Sequence, residues 1–153
     1  MPDKKGPSRD VAVNRRAYHD YFIDEKYEAG LSLLGTEVKS LRAGRANLGD
    51  GYVRIQGGEA WLENVHISPY MQGGYANHEP LRPRKLLLHA KEIASLVGKV
   101  KQRGYTLVPL RVYFARNRAK VEVGLARGKR QYDKRQALAA ADAKREMARA
   151  LKR

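Results

Sequence analysis

The chain has 153 residues, with 31 Lys and Arg against 16 Asp and Glu, a formal charge of +15 and a pI near 10.2. That excess points to a polyanionic partner, nucleic acid ahead of an anionic membrane surface. Cysteine is absent, which excludes disulfides and thiolate chemistry and suits a reducing cytosol, while no run of about 18 apolar residues marks a membrane span.

Residues 1–10 hold two prolines, a glycine and several charges without apolar periodicity, so a flexible arm is expected. Asn14 suits the N-cap of one or two docked helical turns. Residues 21–23 and 27–34 read as one extended strand with a charged interruption. Gly35 to Arg42 predicts a short helix, with Thr36 as its cap and Val38, Leu41 and Arg45 along one face. Residues 52–55 and 60–65 alternate around Gly57 and Gly58, a hairpin signal. The stretch 66–83, broken by Pro69, Gly73, Gly74, Pro80 and Pro83, reads as a long loop, functional or mobile.

Leu86, Leu87 and Leu88 fit strand or helix, with strand favoured. Ile93, Leu96, Val97 and Val100 carry helical spacing through 92–103, and Gly104 supplies the stop. Residues 105–114 and 119–125 form a second hairpin, turned at Arg116, Asn117 and Arg118. The expected fold is mainly β: an antiparallel, six-stranded OB-type barrel, closed or partly open, with about three flanking helices over residues 11–127. Residues 128–153 form a basic tail. From Arg127 onward the chain holds ten basic residues against three acidic ones, and its alanine-rich end carries only a thin apolar stripe at Leu138, Met147 and Leu151. Such a segment is expected to be disordered when free and helical against a polyanion.

No catalytic constellation emerges. His19, His66, His78 and His89 are scattered without metal-ligand spacing, and the serines lack a nucleophile context. Neither an enzyme activity nor a cofactor or metal is expected. Tyr18, Tyr21, Tyr52, Tyr70, Tyr75, Tyr105, Tyr113 and Tyr132 lie among Lys and Arg, where a ring stacks on bases or half-buries in a barrel. Barrel packing accounts for most of them, with Tyr132 the exception in its basic run. Glu28 and Glu37 are carboxylates in basic surroundings. They accept from base amino groups or hold an arginine in a useful pose, or else lie on the solvated surface or pair within the protein, and this last, unspecific reading is the favoured one.

The segments Asn14-Arg-Arg-Ala-Tyr-His, Tyr27-Glu-Ala-Gly, Gly35-Thr-Glu-Val-Lys-Ser-Leu-Arg, Asn64 through Pro69, Arg84-Lys-Leu-Leu-Leu, Gly104-Tyr-Thr-Leu-Val-Pro and Gly128-Lys-Arg-Gln-Tyr-Asp-Lys-Arg occur in that order. With them the chain resembles the small protein B (SmpB) family, the SsrA-binding proteins of bacterial trans-translation. The resemblance implies a cytoplasmic OB-type adaptor, with no membrane role, for the tRNA-like domain of transfer-messenger RNA. It also implies delivery to stalled ribosomes, contact with elongation factor Tu through the RNA, and a tail that enters the empty mRNA channel and the small-subunit decoding centre. By motif position Asn14, His19, Glu28, Leu87 and Lys120 resemble the family's RNA-binding residues. Arg15 and Arg16 flank Asn14, and Glu37, Lys39 and Arg42 lie in a neighbouring motif. Arg127, Lys129, Arg130, Tyr132, Asp133, Lys134 and Arg135 resemble its ribosome-engaging segment, with Tyr132 where many relatives carry histidine. Leu87 either packs beneath the site or covers an unstacked base. A general ribosome-associated OB-fold RNA-binding protein is the alternative.

Overall fold

The computed structural model describes residues 9–72, 74–101 and 104–129. Residues 1–8, Gln102 and Arg103, at the end of the helix expected over 92–103, and the tail with Arg130, Tyr132, Asp133, Lys134 and Arg135 lie outside the described residues. In chain order the elements are β1 (Arg9–Val13), α1 (Arg15–Asp20), β2 (Tyr21–Leu31), α2 (Gly35–Arg42), β3 (Ala46–Asn47), β4 (Tyr52–Gln56), β5 (Glu59–Glu63), β6 (His66–Ile67), β7 (Arg84–Leu87), α3 (Ala90–Val100), β8 (Tyr105–Ala115) and β9 (Arg118–Gly128).

Seven strands form one antiparallel sheet in the order β1-β8-β9-β2-β7-β5-β4, and β3 pairs with β6 apart from it. Strand β4 returns to lie beside β8, so six strands, from β8 round to β4, enclose a barrel with β1 added outside the seam. These are the six strands the sequence pattern predicts. β1 starts at Arg9, inside the expected arm, because its partners are Arg111 to Phe114 of β8. A pairing that distant leaves no local signature. β3 and β6 are two residues each, too short for an alternation to register, and β6 lies in the stretch expected to be loop.

Two tight turns set the hairpins. Gly57 and Gly58 both have positive φ between Gln56 and Glu59, a conformation glycine adopts without the Cβ penalty and one that follows the twist of paired strands. Arg116 and Asn117, also at positive φ, join Ala115 to its partner Arg118. Inward positions fill the barrel, among them Ala29, Leu62, Leu86, Leu107, Val112, Val121, Val123 and Leu125, and Leu41 of α2 and Leu96 of α3 complete that core. A smaller cluster lies on the other side of the sheet, where Ala17 of α1 packs on Val108, Leu110 and Ala126.

α1 has the expected cap: the Asn14 side chain accepts from the Ala17 amide at 3.1 Å. α2 does not. Its cap position is Leu34, whose amide donates to the Glu37 carboxylate at 2.8 Å. Thr36 is inside the first turn, and its hydroxyl lies 2.9 Å from Nδ1 of the buried His78, whose Nε2 is 2.9 Å from the Ile67 carbonyl.

Glu37 and Arg84 are both fully buried. Arg84 Nε donates to Glu37 at 2.6 Å and Arg82 Nη2 at 2.5 Å, while the remaining Arg84 nitrogens reach the carbonyls of Val65 at 2.6 Å and Pro80 at 3.0 Å. Burial alone would raise the Glu37 carboxyl, but hydrogen bonds from Arg82, the Leu34 amide and Arg84 outweigh it and hold the carboxyl below its ordinary value. The buried charge is therefore kept ionised, and every polar atom of the pair has work. Removing one partner of such a pair costs about 3–5 kcal/mol, because the other charge stays buried alone. Glu37→Ala is therefore expected to destabilise the fold by about 3–5 kcal/mol in urea or thermal unfolding. Since the folded pKa is depressed, the contribution is complete above the unfolded value of 4.5 and fades as pH falls through the lower folded value. Stability should accordingly drop on the acid side of pH 4.5 in the natural chain and less steeply in Glu37→Ala.

Candidate nucleic-acid interface

Side chains alternate along a strand, so register decides which of them meet. Across β2 and β9, Glu28 faces Glu122 and Gly30 faces Lys120; across β8 and β9, Tyr113 faces Lys120 and Arg111 faces Glu122; across β2 and β7, Gly30 faces Leu87. Val112, Val121 and Ala29, one step away, point into the core. Glu28, Leu87, Lys120, Glu122, Arg111 and Tyr113 therefore share the outer face of the barrel.

The contacts agree. Tyr113 donates its hydroxyl proton to Glu28, and Lys120 Nζ is 4.0 Å from the other carboxylate oxygen. Arg111 stacks at 4.0 Å over the Tyr113 ring and approaches Glu122 at 3.6 Å. Lys26 reaches Glu122 at 4.0 Å and lies 5.4 Å over the Tyr18 ring. Tyr113 is only 3% exposed; burial, reinforced by the Glu28 carboxylate, pushes its phenol well above the ordinary tyrosine range. It is thus a fixed neutral donor that holds Glu28 in one pose. Leu87, 56% exposed, lies across the backbone of Gly30, where an added Cβ would be 3.3 Å from that of Leu87. The absent side chain lets an apolar surface sit beside the Glu28–Lys120 pair.

A second group gathers at the end of α1. Lys129 Nζ donates to the Tyr18 carbonyl at 3.2 Å, where the unpaired carbonyls of a helix end favour a cation, and lies 5.3 Å over the Phe22 ring. Arg127 pairs with Asp24 at 2.9 Å and stacks on the same ring at 5.5 Å. His19 is exposed on α1 with Nδ1 2.9 Å from Asp20, and that contact, with help from Arg16, keeps the Asp20 carboxyl below its ordinary value. Arg15 is exposed, and Arg16 pairs with Asp20 at 3.3 Å and Asp50 at 3.5 Å.

The remaining expected residues fall elsewhere. Asn14 is 5% exposed; besides capping α1 it donates to the Pro109 carbonyl at 2.9 Å, so it positions the helix. Glu37 is turned inward and holds Arg82 and Arg84. Lys39 and Arg42 project from α2, the first 5.4 Å over Tyr70 and the second 4.7 Å over Phe114, apart from the Glu28 patch. Tyr113, Arg111 and Lys26 were not singled out as contacts. Tyr113 and Arg111 lie in the strand expected at 105–114 and Lys26 in the charged interruption between 21–23 and 27–34, and only the register brings them beside Glu28. Among the described residues no cluster of His, Asp and Glu is arranged to hold a metal.

The outer face offers a rigid acceptor, an ammonium and an exposed leucine within one patch. Its charges are matched: Lys120 with Glu28, Lys26 with Glu122, and Arg111 with Asp10 at 2.7 Å as well as Glu122. Such a surface selects a shaped partner with hydrogen bonds and apolar cover rather than drawing in any polyanion.

Comparison with known proteins gives a consistent picture. The family model for the SmpB protein matches residues 11–153. The SsrA-binding protein of Bacillus cytotoxicus is 60% identical over 148 residues, covering 97% of this chain and 96% of that one. The SsrA-binding protein of Thermobifida fusca is 61% identical over 151 residues, covering 99% and 94%. A solved structure described as "tmRNA-SmpB: a journey to the center of the bacterial ribosome" holds a chain 58% identical, with a TM-score of 0.66 over 77% of this chain and 83% of that one.

Tyr113→Phe keeps the ring and removes only the donor to Glu28. Because Glu28 retains access to water, the expected cost is about 1–2 kcal/mol in urea unfolding. In the natural chain an absorbance titration should find one tyrosine that stays protonated after the others ionise. With its folded pKa raised, that group stabilises the fold fully below the ordinary tyrosine value and loses its effect as pH rises beyond it.

Proposed function

The chain belongs to the SmpB protein family, and on that premise we propose that its barrel binds the tRNA-like domain of transfer-messenger RNA through the Glu28 face. It is an RNA-binding adaptor that acts on the ribosome. The observation that carries the assignment of the face is the convergence of Glu28, Leu87 and Lys120, which lie on three different strands. Lys120 neutralises a phosphate, Glu28 accepts from a base or sugar hydroxyl, and Leu87 covers an unstacked base. Residues 11–127 form the RNA-binding body.

The segment from Arg127 onward serves the ribosome. Arg127 and Lys129 leave the body beside α1, and Arg130, Tyr132, Asp133, Lys134 and Arg135 follow directly in sequence. With ten basic residues against three acidic ones, this arm suits the phosphate-lined mRNA channel and the decoding centre of a stalled ribosome. Elongation factor Tu would be met through the RNA. Among the described residues no helix is long and apolar enough to cross a membrane, and the cytoplasm is the compartment where ribosomes and this RNA meet.

The two parts should separate. Lys120→Ala is expected to weaken binding of the tRNA-like RNA on the order of tenfold, as loss of a charged hydrogen bond does, and to reduce peptide tagging in step. Deleting residues 130–153 should leave that affinity within about twofold, since the affinity-setting contacts lie on the barrel, yet abolish tagging on stalled ribosomes. Wild-type RNA binding by Lys120→Ala, or a collapse of RNA affinity on tail deletion, would contradict the division.

A further inference from the structure

A cavity lies away from the Glu28 face, between the end of α2 and the loop after β6. It has a volume of about 110 Å³ and is lined by Ser40, Arg45, Pro69, Tyr70 and Met71; none of these belongs to β2, β8 or β9. That is less than the roughly 150 Å³ that encloses a benzene ring, so the space takes part of one planar ring and leaves its remaining edge in solvent.

Four features mark it as built to receive something. Ser40 is 1% exposed, and its hydroxyl has no hydrogen-bond partner among the described residues. A helical serine ordinarily bonds back to a carbonyl one turn earlier; this one keeps its capacity unspent at the cavity floor. Tyr70 is held by its backbone, with Asn77 accepting from its amide at 2.9 Å and donating to its carbonyl at 2.6 Å. The cavity rim is cationic: Lys39 sits 5.4 Å over the Tyr70 ring, and the exposed Arg45 has no side-chain partner among the described residues. Met71, 80% exposed, offers a soft apolar flank.

We propose that this cavity is a second nucleic-acid subsite, which takes one unstacked nucleobase against Tyr70 and Met71, with its edge on the Ser40 hydroxyl and its phosphates on Arg45 and Lys39. An aromatic ring, a spare hydroxyl and two cations match a nucleotide part by part, whereas an apolar protein side chain would leave the hydroxyl and both cations unused. The inference rests on the RNA-binding reading above. The base comes either from transfer-messenger RNA or from ribosomal RNA, and the two sources are separable by experiment.

The test compares the full chain with Tyr70→Leu, Tyr70→Phe and Ser40→Ala, measuring affinity for the tRNA-like RNA in one arm and for stalled ribosomes in the other. Base–aromatic stacking is worth enough that Tyr70→Leu should lose roughly tenfold in one arm, while Tyr70→Phe stays within about twofold. Ser40→Ala should raise the melting temperature, by removing an unsatisfied buried hydroxyl, and lower affinity a few-fold in that same arm. A structural role for Ser40 would move both in one direction. Loss confined to the first arm assigns the base to transfer-messenger RNA, and loss confined to the second assigns it to ribosomal RNA. Wild-type affinity of both Tyr70→Leu and Ser40→Ala in both arms overturns the proposal. Lys120→Ala, run alongside, reports on the Glu28 face separately, so failure there is distinguishable from failure here.

Discussion

The buried carboxylate of Glu37 is the constraint around which the barrel is arranged. It accepts from Arg82, Arg84 and the Leu34 amide, and Arg84 in turn ties the carbonyls of Val65 and Pro80. One ionised pair thereby joins α2, the start of β7 and the long connection between β6 and β7. None of these contacts is replaceable by water, since both side chains are sealed. The pair fixes where β7 begins, hence where Leu87 ends against Gly30, and it holds α2 so that Leu41 closes the core. A buried interaction thus sets the geometry of a surface that contains neither residue.

The outer face obeys a related logic. Glu28 is useful only because its pose is fixed, and Tyr113 fixes it from a buried position where the phenol cannot ionise near neutral pH. Lys120 and Leu87 then stand at set places relative to one acceptor. Charge is almost cancelled on this face, whereas the segment from Arg127 onward holds ten basic residues against three acidic ones. On the proposed reading, recognition and attraction are carried by different parts of the chain.

Much of this was legible in the sequence. The six barrel strands followed from alternation and turn residues, and α1 and α3 from caps and helical spacing. β1 leaves no local signal because its partners are about a hundred residues away, and Thr36 has the pattern of a cap although His78, 42 residues on, claims its hydroxyl. Glu28, Leu87 and Lys120 were named through family resemblance, but that they meet depends on strand register. The inward turn of Glu37 was invisible for the same reason: Arg84 is 47 residues further on. Sequence leaves Glu37 equally open to a solvated surface position and to pairing within the protein, and no spacing rule identifies the partner.

Attraction and recognition make opposite predictions for one substitution. Glu28→Gln preserves shape, deletes a negative charge and leaves an amide in place of a fixed acceptor for Tyr113 and Lys120. If the barrel held RNA by charge alone, the change would leave affinity unaltered or increase it. Recognition by a positioned carboxylate requires a decrease. Affinity of the full chain for the tRNA-like RNA should fall on the order of tenfold in Glu28→Gln at physiological salt; equal or tighter binding would contradict the account.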